Sequence, residues 1–67
     1  MDNSKTVKVG DIFQDEEEIG NDGIFVITRL TEFDFDARIL TGDEAGEELF
    51  MELDYLDSCK RLAKVPK

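Results

Sequence analysis

The residue types that carry most enzyme chemistry are scarce or poorly placed in this chain. Nucleophilic catalysis needs a Ser, Thr or Cys beside a base, most often His, and the 67 residues contain no His. Cys59 is the single cysteine, and Lys60 and Arg61 follow it. Along an extended segment those two side chains alternate away from the thiol, so a half-buried structural cysteine is expected rather than an activated thiolate. One cysteine also permits no internal disulfide and no thiolate cluster, which suits a reducing compartment; the expected location is the cytoplasm. Carboxylates are plentiful, with 17 Asp and Glu against 8 Lys and Arg. A glycosidase-type carboxyl pair needs a sugar groove lined by aromatics, and the chain has no Trp and one Tyr. Residues 15–22 and 43–48 offer oxygens to a hard cation, but neither keeps the alternating acidic loop with a distal Glu that wraps calcium. The expectation is therefore no enzyme, no cofactor and no dedicated metal site. What is left to do chemistry is the charge itself.

That charge is unevenly spread. Residues 11–23 hold six acids and no base, residues 41–57 hold seven acids and no base, and residues 58–67 hold four bases and no acid. A net charge of -9 repels nucleic acid and anionic lipid and attracts basic protein surfaces. The C-terminal group of Lys60, Arg61, Lys64 and Lys67 is too small to reverse this and is expected to neutralise nearby carboxylates or to help define an interface.

The elements that must position these charges follow from periodicity. Five Phe and an apolar share of 40% are enough for one modest core, so a single domain over residues 1–67 is expected, with 1–4 and 66–67 disordered. No segment approaches the ~20 apolar residues of a membrane span, and the N-terminus lacks a signal-type apolar stretch. Lys5-Thr-Val-Lys-Val9 alternates with period two and predicts a short first strand, bent at Gly10-Asp11 before Ile12-Phe13. An acidic loop follows over 15–23. Ile24 to Leu30 is the strongest strand signal, rich in β-branched and aromatic residues. Phe33, Phe35, Ala37 and Ile39 alternate with Asp34, Asp36 and Arg38, which predicts a half-exposed strand. Thr41 to Gly46 then makes a hairpin loop into a strand carrying Leu49, Met51 and Leu53 on one side. Asp54 to Ser58 suits one 3-10 turn, and Leu62 and Val65 suit a closing strand, with Pro66 ending the ordered chain. Phe13, Phe25 and Phe50 do not all fit one inward face, which leaves an aromatic for a subunit contact or for solvent.

The order of these features resembles small SH3-like barrels, including the Tudor and KOW modules. The matching pieces are Val7-Lys-Val-Gly-Asp-Ile-Phe13, the central hairpin, and Leu53-Asp-Tyr-Leu-Asp-Ser-Cys-Lys-Arg-Leu62. The resemblance implies a mainly β fold: a five-stranded SH3-like barrel or a strongly bent antiparallel sheet with a short 3-10 or helical turn near the C-terminus. An open sheet with one helix over 54–62 is the alternative. Neither an aromatic cage nor a KOW-like basic surface is present, so no binding residue carries over from those families.

Duplex DNA shows one charge per ~1.7 Å of axis. A globule of this length spans about 28 Å, against which DNA presents on the order of 16 charges; one protomer at -9 falls short and a homodimer approaches it. By size, charge and architecture the chain is similar to the DNA-mimic proteins that bacteriophages make for host takeover, a group that includes inhibitors of the bacterial histone-like protein HU. The resemblance implies an acidic inhibitor that occupies the nucleic-acid-binding surface of a basic, HU-like partner, with no direct nucleic-acid binding, no membrane and a homodimer as an option. The contact residues are expected among Asp15, Glu16, Glu17, Glu18, Asp22, Asp34, Asp36, Asp43, Glu44, Glu47 and Glu48. Two other readings fit the same residues: a protein-interaction module docking an aromatic strip on a transcription component such as RNA polymerase or on a basic peptide, and a solvated acidic face that only maintains solubility.

Overall fold

A computed structural model of the chain describes residues 3–15 and 23–64. Five antiparallel strands form one sheet: β1 (Ile12–Gln14), β2 (Ile24–Leu30), β3 (Asp34–Ile39), β4 (Glu48–Glu52) and β5 (Lys60–Leu62), in the order β4-β3-β2-β1-β5. Among the described residues β4 and β5 are free edges, so the sheet is open rather than closed. The longest dimension is 29 Å, close to the span expected from chain length. A six-residue 3-10 helix, Leu53–Ser58, joins β4 to β5.

Period-two alternation builds the inner face. In β3, Phe35, Ala37 and Ile39 are buried while Asp34, Asp36 and Arg38 face outward. Phe25 and Ile27 of β2 and Phe13 of β1 meet them, and Leu56 of the 3-10 helix covers the middle. Phe25 sits at the centre, its ring 6.1 Å from Phe13, 6.0 Å from Phe35 and 6.2 Å from Tyr55. Phe13 and Phe25 share the inner face as direct cross-strand partners, and Phe50 is the one of the three that lies outside, so the three do not all fit one face. Leu49 and Met51 of β4 and Leu53 pack on the edge of this core from one side, as their spacing predicts.

A β-bulge bends the sheet. Ile27 pairs with Ala37 and Arg29 with Asp36, so Thr28 is an extra residue on β2. Such an insertion increases local twist and re-aims the side chains beyond it. Here it turns Arg29 outward beside Asp36 and returns Leu30 to the inner side opposite Phe35.

The N-terminal segment departs from its alternation. Residues 3–6 form one helical turn, α1 (Asn3–Thr6), and Val9 is exposed, so no strand covers residues 5–9. Side-chain hydrogen bonds to the 3-10 helix decide this. The Asn3 amide donates to the carbonyls of Leu56 (2.9 Å) and Cys59 (3.0 Å), and the Ser4 N–H and hydroxyl both donate to the Asp57 carboxylate. Only Val7 reaches the core. The acidic loop over 16–22, Val65 and Pro66, and the disorder expected at residues 1–2 and 66–67 lie outside the described residues; the described 3–4 are ordered in α1.

Candidate functional site

The first residue of the expected acidic surface is not on it. Asp15 is 8% exposed, and its carboxylate accepts a hydrogen bond from the Tyr55 hydroxyl. Tyr55 is held by packing its ring against both Phe25 and Phe35, so the aromatic core positions its hydroxyl over the end of β1. Burial, followed by the bond to Asp15, pushes the Tyr55 hydroxyl well above its ordinary range and keeps it a donor. The Cys59 thiol donates to the Tyr55 carbonyl at 3.5 Å and is pushed up to about 12, first by burial and then by the Asp15 charge. A thiol of that kind is protonated at neutral pH and is no nucleophile, as its sequence context suggests. Asp15 therefore serves packing. Replacing Tyr55 with Phe keeps the ring stack and removes the donor to a buried carboxylate; a loss of about 1–3 kcal/mol is expected in urea denaturation. A variant as stable as the wild type would show that the bond contributes nothing net.

The other described acids of the expected surface, Asp34, Asp36, Asp43, Glu44, Glu47 and Glu48, gather on the β3–β4 side of the sheet. The β3–β4 register sets Asp34 opposite Glu52, Asp36 opposite Phe50 and Arg38 opposite Glu48. Direct cross-strand partners have Cβ atoms about 4.5–5.5 Å apart, so these six side chains make one continuous outer patch. The loop that leads into β4 adds Asp43, Glu44 and Glu47, all exposed. This loop turns sharply at Gly46, whose positive φ of 95° lets its N–H reach the Ile39 carbonyl at 2.7 Å. Glu16, Glu17, Glu18 and Asp22 lie outside the described residues.

The patch is not a plain row of negative charge. Arg29 lies 3.6 Å from Asp36 and Arg38 lies 3.8 Å from Glu48, long and exposed pairs of small energetic weight. Asp34 accepts from the Thr31 hydroxyl at 2.7 Å, which fixes it at the β2–β3 turn. In the middle stands Phe50, 64% exposed, flanked along β4 by Glu48 and Glu52. Phe33, 78% exposed, lies just before β3 with its carbonyl accepting from the Leu53 N–H. Glu52 was legible in the sequence as the third outward position after Glu48 and Phe50, although it belongs to no run of adjacent acids. The two arginines and Phe50 needed the register.

No protein-family model, curated protein or solved structure matches this chain.

The sheet order separates charge. From Thr41 to Asp54 the chain carries Asp43, Glu44, Glu47, Glu48, Glu52 and Asp54 and no base. Every described lysine, namely Lys5, Lys8, Lys60 and Lys64, belongs to the N-terminal segment or to β5 and the residues after it. Arg61 on β5 is tied down: it donates to Asp11 at 2.6 Å and to Thr6 at 2.8 Å, with its guanidinium 5.0 Å from the centre of the Phe13 ring. It closes the open end of the core. Among the described residues no His, Cys, Asp and Glu group is arranged to hold a metal ion, and no helix is long and apolar enough to cross a membrane.

Proposed function

We propose that this chain is an acidic inhibitor that covers the nucleic-acid-binding surface of a basic, HU-like DNA-binding protein, in the manner of phage-encoded host-takeover proteins acting in the bacterial cytoplasm. The observation that carries this reading is the acidic β4 edge. From the 41–47 loop through β4 the chain carries acids and no base, with Asp34 and Asp36 of β3 beside it, while Lys60 stands on the far edge strand, β5. A basic surface meeting that edge gains charge complementarity and sheds counterions, and the far edge does not oppose it. A five-stranded antiparallel sheet with a 3-10 helix before β5, as the likeness to SH3-like modules implies, supports a binding domain, and the design requires no catalytic residue.

The test is binding to a purified HU-type protein with stepped salt and competing duplex DNA. Binding released between about 0.1 and 0.5 M salt, where the Debye length falls from roughly 10 to 4 Å, and displaced by DNA is expected. Replacing Asp34, Asp36, Glu48 and Glu52 together by their amides should weaken binding about tenfold or more, a loss of ~1.4 kcal/mol. Binding that DNA leaves untouched would reject the decoy. Phe50 favours a second reading, a docking module for a basic peptide in which the aromatic supplies affinity; that contact would survive salt and fail with Phe50→Ala.

A further inference from the structure

The backbone of β4 offers more than charge. Two hydrogen bonds to β3 fix its parity: Ile39 N–H donates to the Glu47 carbonyl (2.9 Å) and Leu53 N–H donates to the Phe33 carbonyl (2.9 Å). In an antiparallel ladder the bonded residues alternate along the strand. Leu49 and Met51 therefore direct their N–H and C=O groups at β3, and Glu48, Phe50 and Glu52 direct theirs away from it. Among the described residues no strand takes up that side. The free edge thus has backbone donors and acceptors at three positions whose side chains are acid, aromatic and acid, all exposed. On the inner side, Leu49 and Met51 are only half-buried. Lone charges usually protect an edge, but here the two glutamates bracket an exposed aromatic and leave a graded surface.

We infer that the β4 edge takes a strand from its partner, extending the sheet, and that the strand it selects reads basic–apolar–apolar–apolar–basic. The pattern follows from the register. A strand laid antiparallel on β4 places every second side chain beside Glu48, Phe50 and Glu52, where Lys or Arg, an apolar residue, and Lys or Arg are complementary. Its two intervening side chains fall on the inner side beside Leu49 and Met51, where only apolar groups complete the core margin. Main-chain bonds supply affinity and alternate side chains supply selectivity, the logic of strand addition. A second copy of this chain is a poorer occupant: its β5 edge offers Lys60-Arg61-Leu62, where Arg61 is already committed to Asp11 and Phe13, and its β4 edge repels. This inference rests on the acidic β4 edge being the partner-binding surface.

The test uses three synthetic peptides of one composition and charge with the full-length chain: one with Lys-Val-Leu-Val-Lys at its centre, one with those residues scrambled, and the first N-methylated at the alternate positions that would bond to β4. Amide NMR reports both site and affinity. The patterned peptide is expected to bind at least tenfold more tightly than either other one, with its largest shifts and slowed hydrogen exchange at Glu48, Phe50 and Glu52. Equal affinity for all three, with shifts still on the acidic patch, overturns strand addition and leaves the acidic surface standing as a purely electrostatic site. Shifts centred on β5 or none on the acidic patch overturn both. Concentration-dependent dimerisation through β4 without peptide also overturns the inference, because the edge then belongs to a second copy.

Discussion

Gly23→Ala is expected to unfold most of the protein. Gly23 occupies the left-handed region at a φ of 51°, and a Cβ there would overlap the carbonyl oxygen of Asp15. The approach is close because Asp15 N–H donates to the Gly23 carbonyl at 2.8 Å, which closes the chain on itself just before β2 begins. The left-handed conformation alone costs an alanine about 1–2 kcal/mol, and backbone overlap adds about 1–3 kcal/mol of displacement. The displacement cannot stay local. Asp15 is anchored to Tyr55, and Tyr55 is stacked on Phe25 and Phe35, so a shift at residue 15 reaches the core. A loss of about 3 kcal/mol or more is comparable to the whole stability of so small a domain. Urea denaturation followed by circular dichroism measures it; a loss below about 1 kcal/mol would show that the 15–23 closure gives way at little cost.

The second large effect is Phe25→Ala. Phe25 is fully buried and its ring is flanked by those of Phe13, Phe35 and Tyr55. Truncating a buried Phe to Ala costs about 3–5 kcal/mol, because lost transfer energy and an unfilled cavity add. The neighbours cannot collapse into the space readily: Phe13 is capped by Arg61, and Tyr55 is held through its hydroxyl by Asp15. The variant should lose dispersed amide NMR signals at room temperature. Phe50→Ala is the matched control, since the same deletion on the outer face is expected to change stability by no more than about 0.5 kcal/mol. If both variants fold equally well, the aromatic stack is not the centre of stability. The contrast also separates the two roles of aromatics in this chain, one structural and one available to a partner.

Strands with strong local signals were legible before any contact was known. Asp34 to Ile39 buries every second residue, and a strand's period of two leaves no other way to hide Phe35, Ala37 and Ile39 together; Ile24 to Leu30 is marked by its β-branched and aromatic residues and buries Ile24, Phe25 and Ile27. The hairpin through 41–47, the strand bearing Leu49 and Met51, and the 3-10 turn before β5 follow from local signals of the same kind. Cys59 was legible as a structural cysteine, although it is buried rather than half-buried.

The rest depends on contacts between residues far apart in the chain. Lys5 to Val9 alternates like a strand, yet Asn3 and Ser4 find better partners more than 50 residues away on the 3-10 helix, and one helical turn results. Asp15 reads as the first of four consecutive acids, and nothing nearby in the sequence reveals that the Tyr55 hydroxyl, 40 residues on, draws it inside. The outer patch is likewise a product of register: Glu52 joins Asp34, and Arg29 joins Asp36 only because Thr28 is bulged out of the ladder. Composition set how much negative charge the chain carries. Strand order set where it stands, with Glu48 and Glu52 on the β4 edge and Lys60 on the β5 edge, because each strand fixes its side chains to one face and the sheet fixes which strand is left at the edge.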